Sequence, residues 1–222
     1  MQVAEEAKRL WRDVKFNLAR KRLLAPPGAP HFDVETHDCF TRLIERADVY
    51  VEYGSGGATL LAADHASLVV SVESDRHYRH LVQKALDAAP RRGRVEFIHG
   101  RIGPTAEWGN PILRVDIRAV SGRHYATAPW SVLERAGGRR ADLILIDGRY
   151  RMACALGAML SPLGRDAPML IDDFEGRASY QELLDFVDVI ERPGRSILAR
   201  AKSSLDRAHV AAAFERYVRD WR

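Results

Sequence analysis

Val49 to Leu61 reads Val-Tyr-Val-Glu-Tyr-Gly-Ser-Gly-Gly-Ala-Thr-Leu-Leu: an apolar run with an acid near its end, a glycine-rich turn, then a resumed apolar periodicity. Leu68 to Glu73 (Leu-Val-Val-Ser-Val-Glu) follows, with a second acid at its tip. The pattern predicts strand, tight turn, helix, strand. Gly54 and Gly56 admit backbone conformations and a close approach that a side chain would block. A carboxylate ending the next strand, Glu73, can accept hydrogen bonds from ribose hydroxyls. This is the chemistry of a nucleoside-cofactor site. A dinucleotide fingerprint, G-x-G-x-x-G/A, fails at its last position, which counted from Gly54 is Thr59. A serine-hydrolase elbow also fails, because Tyr53 and not glycine stands two residues before Ser55.

Three more acids end apolar runs: Asp147 after Ala141 to Ile146, and Asp172 with Asp173 after Pro168 to Ile171. Neighbouring strands lie about 4.8 Å apart, so acids at adjacent tips can converge on one hard cation, Mg²⁺, Ca²⁺ or Mn²⁺ rather than zinc. Acids so placed also cap the following helix or bind a nearby arginine, and both readings stay open. Arg149 and Tyr150 stand where they can touch an acceptor, with Tyr150 equally suited to packing at a helix start.

These residues need a frame. Hydrophobic periodicity predicts helices at about 34–46, 57–65, 76–88, 150–160, 177–185 and 207–221. It predicts strands at 48–53, 68–73, 94–99, 141–147, 168–172, 187–190 and 196–199. Continuous apolar strands alternating with helices imply an α/β fold whose parallel sheet is covered on both faces. The Pro193-Gly194 turn between the last two strands makes a hairpin, so one strand runs antiparallel. Ligands in such sheets sit beyond the carboxyl ends of the strands. That end gathers Glu52, Gly54, Ser55, Gly56, Glu73, His99 to Ile102, Asp147 to Tyr150, and Asp172 to Phe174. Residues 101–139 lack clear periodicity, and so long a stretch is usually functional. Trp108, His124-Tyr125 and Pro129-Trp130 suit either a lid that keeps water from an acceptor pocket or anchors for a long loop. His124 is a candidate general base.

The stretch Glu52-Tyr53-Gly54-Ser55-Gly56, acid-x-Gly-x-Gly, resembles the first motif of the class I S-adenosylmethionine-dependent methyltransferases, and the resemblance covers roughly residues 34–202. It implies a Rossmann-like methyltransferase fold: a mostly parallel seven-stranded sheet with one antiparallel strand from the C-terminal hairpin, and helices on both faces. It places Glu52 near the methionine end of the cofactor and Glu73 on the ribose, with Gly54, Ser55, Gly56 and Asp147 also in the cofactor site. Arg101 and Ile102 fall near the adenine, where many members carry an acid, so adenine recognition is expected from backbone groups or apolar packing. The positions of Asp147, Asp172 and Asp173 are similar to those of the metal-dependent small-molecule O-methyltransferases. By that likeness the three hold Mg²⁺, with Asp147, Tyr150 and Asp172 as catalytic residues. Asp147-Gly-Arg-Tyr150 lacks the Asp/Asn-Pro-Pro-aromatic motif of enzymes that methylate base amines. The expected activity is methylation of an oxygen on a small-molecule or glycan-like acceptor, in a bacterial branch of the superfamily. A non-catalytic S-adenosylmethionine- or nucleoside-binding protein is a second reading. An NAD-dependent oxidoreductase is a third, with Thr59 and the terminal hairpin against it.

The chain has 222 residues, 46% of them hydrophobic, which suits one α/β domain at 31–222, with 101–139 as an insertion or lid. Residues 1–30 read as an amphipathic helix and a proline-rich linker. The apolar stripe Val3, Ala7, Leu10, Trp11, Val14 and Leu18 is expected to pack on the domain or on a second copy as a homodimer, rather than lie on an anionic membrane. No segment approaches the roughly 20 apolar residues of a membrane span. Charges at the start of the chain replace the apolar stretch of a signal peptide, so a cytoplasmic location is expected. Cys39 and Cys154 are expected as two buried thiols. A net charge of +4 is only mildly basic, and the run Arg91-Arg92-Gly93-Arg94 reads as solvated loop charge, so nucleic acid is not an expected partner.

Overall fold

A computed structural model of the chain describes Trp11, Pro26 and residues 28–103 and 118–221. The amphipathic helix expected before residue 25 and the Trp108 part of the expected lid lie outside the described residues. Within them the order is α1 (Val34–Ile44), β1 (Val49–Tyr53), α2 (Gly57–His65), β2 (Leu68–Glu73), α3 (Arg76–Asp87), β3 (Arg94–His99), α4 (Arg118–Arg135), β4 (Leu143–Ile146), α5 (Arg151–Leu160) and β5 (Met169–Ile171). A 3-10 helix (Ala178–Asp185), β6 (Val187–Glu191), β7 (Ile197–Ala201) and α6 (Arg207–Tyr217) complete it.

Helix starts follow from short acids that accept backbone N–H groups left unpaired at the first turn. Asp33 accepts from the Thr36 amide at 2.8 Å, Asp75 from the amides of His77 and Tyr78, and Asp206 from that of Ala208. The seven strands run β3-β2-β1-β4-β5-β7-β6. β7 pairs antiparallel with both β5 and β6, and the other strands run parallel to one another. The Pro193-Gly194 hairpin produces that reversal, as expected.

Alternation along the strands builds two cores. Val49, Val51, Tyr53, Val70, Val72, Ile144 and Ile146 face α4, α5 and α6, whereas Tyr50, Val69, Leu143, Leu145 and Leu170 face α1 and α2. α5 is buried on all sides, and Gly157 lets it close on α4 and α6: a Cβ there would stand 3.2 Å from the Ala126 carbonyl oxygen and 3.3 Å from the Phe214 ring. Cys39 and Cys154 are free, buried thiols in opposite cores.

Residues 118–135 correct the expectation of one irregular stretch. They form an 18-residue helix that buries Tyr125, Ala126, Trp130 and Leu133. Pro129 inside it supplies no amide hydrogen for the preceding turn, while the Ala126 carbonyl accepts the Tyr53 hydroxyl at 2.6 Å. The expected helix at 177–185 is a 3-10 helix, and the last helix ends at Tyr217 rather than near 221.

Candidate active site

The chain crosses from β1 outward through β2 to β3, then returns to add β4 and β5 on the other side of β1. Ligands in such sheets bind beyond the carboxyl ends where the direction switches, which here falls between β1 and β4. Backbone hydrogen bonds carry the sheet one row past its last pairs: Gly54 donates to Val72, Asp147 to Tyr53, Asp172 to Ile146 and Gly100 to Glu73. Residues far apart in sequence thus meet at one edge. Gly54 has φ +98°, and a Cβ there would press to 3.1 Å from the Gly148 nitrogen. The β1 turn and the β4 turn therefore pack backbone to backbone, which is why glycine is needed at both.

Glu73 ends β2 at this edge. Its Oε2 accepts the Ser55 amide at 3.1 Å, and its Oε1 accepts the Asp75 amide at 2.7 Å. Burial pushes its carboxyl up, and these amide donors hold it back toward the ionised form. Tyr78 roofs the turn, its hydroxyl 3.4 Å from where a Gly56 Cβ would be. Burial together with Glu73, Glu52 and Asp147 pushes that phenol up to about 12. His99 lies beside Glu73 in register, and its Nε2 accepts from the Arg76 Nε at 3.1 Å. Burial and the Arg76 charge hold the imidazole below its usual range. Nothing in the spacing pointed to Tyr78 or Arg76; both arrive because Asp75 starts α3 at the tip of β2.

Glu52, one residue before the end of β1, lies under the glycine turn. It is fully buried beneath the turn and accepts hydroxyl donors from Tyr50 at 2.9 Å, Ser71 at 2.6 Å and Thr59. Thr59 in turn accepts the Gly56 amide at 2.8 Å, so Glu52 braces the glycine turn from below. Burial pushes its carboxyl up to about 7. Ile102 is buried in the core on the α4 side, and Arg101 is exposed.

Asp147, Asp172 and Asp173 do converge, as their positions at adjacent strand tips predicted, but guanidinium groups fill the space between them. Asp172 is 1% exposed and accepts both Nε and a terminal nitrogen of Arg195 at 3.0 Å, with the Ser196 hydroxyl at 2.9 Å. Asp173 binds Arg195 at 3.0 Å and Arg177 at 2.7 Å. Asp147 binds Arg151 at 3.0 Å. Arg151, 5% exposed, also donates to the carbonyls of Gly148, Asp147 and Asp172 and so ties the ends of β4 and β5 together. Three cations already match the three acids, and Asp172 accepts three charge-assisted or hydroxyl donors, so the cluster does not fit a divalent metal ion. Among the described residues no group of three His, Cys, Asp or Glu is arranged to hold one.

Asp147 keeps one third of its side chain exposed. Burial of the remainder, with like charge from Asp172 and Asp173, pushes its carboxyl up to about 7 against the pull of Arg151. Arg195 holds Asp172 below the usual carboxylate range against the opposing effect of burial. Tyr150 is wholly buried with φ +54°, its ring tilted on Tyr125 at 5.9 Å, and it serves the core at the start of α5. His124 is exposed on α4, while Tyr125 and Trp130 point inward and pack in the core. Tyr125, grouped by the sequence with lid or anchor aromatics, shapes the strand tips: Cβ atoms at Gly100 and Gly148 would collide with its ring and hydroxyl. A cavity of about 260 Å³ beside Asp142, Asp166 and Arg200 opens at the opposite, amino-terminal end of β4 and β5.

A glycine turn at the switch point, an acid at the tip of β2 and a sheet closed by an antiparallel hairpin strand define the class I S-adenosylmethionine-dependent methyltransferase fold. Solved structures agree. A methyltransferase-like protein from Silicibacter pomeroyi is 28% identical over 89% of this chain and 100% of its own, with a TM-score of 0.75. The O-methyltransferase from Bacillus cereus in complex with S-adenosylhomocysteine is 14% identical, covers 85% of this chain and 89% of its own, and has a TM-score of 0.51. The cofactor-bound protein Rv0187 from MTB is 18% identical over 83% of this chain and 87% of its own, also at 0.51. At those identities the last two share the fold. No family model and no curated protein matches the sequence.

Proposed function

We propose that this chain transfers a methyl group from S-adenosylmethionine to an oxygen of a small-molecule acceptor. The observation that carries the reading is Glu73, fixed by the Ser55 and Asp75 amides beside a turn in which Gly54 has no room for a side chain. Bound there, the cofactor supplies an electrophilic methyl on a sulfonium. Glu73 Oε2 keeps a lone pair for ribose hydroxyls, and the Tyr78 hydroxyl and the Gly56 backbone border the same space. The site holds the acceptor oxygen in line with the methyl carbon, where proximity and orientation supply most of the acceleration. The new C–O bond forms as the S–CH₃ bond breaks with its electron pair on sulfur, and the acceptor proton passes to Asp147. A carboxyl raised to about 7 is a better base than an ordinary aspartate, and Arg151 stays in place to steady its charge. No step runs through a metal, because arginines neutralise the acids that would hold one.

The pairing of Asp172 and Asp173 with arginines also favours a second reading, a binding protein that holds the cofactor without turnover. Release of S-adenosylhomocysteine in the presence of a panel of hydroxylated small molecules separates the two. Turnover above the solvent rate supports transfer; binding without release across hydroxyl, amine and thiol acceptors would contradict it.

A further inference from the structure

Among the described residues at the tips of β4 and β5, Arg149 is an arginine that no carboxylate binds. Arg151, Arg177 and Arg195 are each bound to carboxylates. The Arg149 side chain, half-buried in the loop after β4, makes no hydrogen bond or ion pair among the described residues, and its Nε is shut off from solvent without a partner. Burial and the neighbouring Arg151 charge both work against its own charge. A buried N–H donor without an acceptor is costly, and among the described residues no protein group accepts from the Arg149 Nε.

A second orphan stands nearby. Tyr180, on the 3-10 helix, is 2% exposed, and its hydroxyl is buried without a partner. The Arg177 guanidinium, which binds Asp173, lies over its ring at 5.5 Å from the centroid, which sets Tyr180 beside the tip of β5. Buried polar atoms are almost always satisfied by protein, water or ligand, so an unsatisfied donor in the loop after β4 and another beside the tip of β5 mark a place where an acceptor belongs. Arg149 is held there by its backbone: its amide donates to the Tyr125 hydroxyl at 3.4 Å, and its carbonyl accepts from the Cys154 thiol at 3.4 Å. The site faces the ends of β4 and β5, whereas Glu73, Ser55 and Tyr78 gather at β1 and β2. Four guanidinium groups against three carboxylates leave the β4–β5 side with a positive excess.

We propose that Arg149 and the Tyr180 hydroxyl form the recognition point for an oxyanion, carboxylate or phosphate, carried by the methyl acceptor, which makes the substrate an anionic small molecule. The proposal rests on the methyl-transfer reading for the word acceptor; the oxyanion site itself does not. A guanidinium matches the planar, bidentate geometry of either group. The tyrosine adds a third donor that a neutral analogue leaves unpaired.

The test uses the full chain saturated with S-adenosylhomocysteine and two probe pairs followed by ligand-observed NMR: 4-hydroxybenzoate against 4-hydroxybenzamide, and phenyl phosphate against phenol. At least one anion should bind about tenfold or more tightly than its neutral partner, and the preferred pair distinguishes carboxylate from phosphate. Arg149→Met should abolish the preference, while Arg149→Lys and Tyr180→Phe keep part of it. Arg149→Met should also raise Tm by about 2 °C, since it removes a buried donor without an acceptor; a fall would assign Arg149 a structural role and overturn the proposal. A preference that is absent, or that survives Arg149→Met, overturns it too. If Arg149→Met weakens S-adenosylhomocysteine but not 5′-methylthioadenosine, the oxyanion is the cofactor's own carboxylate and the substrate assignment fails. If the wild type ignores S-adenosylhomocysteine yet selects anions through Arg149, the oxyanion site stands and the methyl-transfer reading fails.

Discussion

Asp147 and Asp172 begin as equivalent candidates, an acid at the end of each of two neighbouring strands, and their surroundings separate them. Asp172 is sealed in and bound by Arg195 and Ser196, so its part is architectural. Asp172→Ala should lower stability by about 2 kcal/mol, less than for a fully buried pair because Arg195 is 35% exposed, measured by urea unfolding. EDTA or added Mg²⁺ should leave both Tm and turnover unchanged, and a Mg²⁺-dependent rise in either would reinstate the metal. Asp147 keeps one third of its side chain exposed. Asp147→Asn should cut kcat by about 10²-fold or more and remove the limb of the pH–rate profile near 7, where the wild type gains rate as the carboxyl ionises. S-adenosylhomocysteine affinity should change little. A variant with a wild-type profile would exclude Asp147 as the proton acceptor. The sequence places all three aspartates at the edge correctly, because apolar strands ending in acids are visible as such. It does not show their partners: Arg195 meets Asp172 across 23 residues and a hairpin, and no local spacing encodes such a pairing.

At the level of elements, the strand–turn–helix around Gly54 was legible in detail, with α2 and β2 running from 57 to 65 and 68 to 73 as expected. α4 was not legible. Pro129 lies inside it, basic residues fall on its exposed side, and Tyr125, Ala126, Trp130 and Leu133 are spaced too irregularly to show a clean stripe. Its helical form follows from packing on α5 and the sheet, a tertiary effect that local propensity does not carry. Through Tyr125 this helix sets the shape of the strand tips. Gly148→Ala would put a Cβ 2.2 Å from the Tyr125 hydroxyl and 2.9 Å from the Tyr53 backbone. The variant should lose about 1–3 kcal/mol and about 2–4 °C of Tm per kcal/mol. Gly28→Ala, with nothing within 4 Å, should leave Tm unchanged. Equal Tm values for the two variants would show that the β4 turn is looser than described.

Across the whole molecule, the mostly parallel sheet was open to inference because most strands are apolar runs alternating with helices, and the hairpin signal gave the one antiparallel member; the strand order β3-β2-β1-β4-β5-β7-β6 was not, because pairing partners are set by tertiary packing. The buried carboxylates are a property of the assembled fold, and they set a pH dependence. Glu52 has a folded pKa of about 7 against 4.5 for an ordinary glutamate. Between those values the folded protein keeps a proton that the unfolded chain has released, so stability falls as pH rises through the window, by about 3 kcal/mol at most from this group. Asp147 acts in the same direction. Glu52→Gln should therefore flatten the fall in stability between pH 5 and 8 without abolishing it, and should raise Tm at pH 8 relative to wild type. An unchanged slope would mean Glu52 stays ionised among its three hydroxyl donors.

Calorimetric titration of the full chain with S-adenosylhomocysteine, wild type beside Glu73→Gln, decides whether the Gly54 turn and Glu73 hold S-adenosylmethionine. Micromolar-range binding to the wild type, weakened about tenfold or more by the substitution as a charged hydrogen-bond acceptor is lost, is the predicted result. No binding, binding indifferent to Glu73→Gln, or binding of NAD in its place would contradict it.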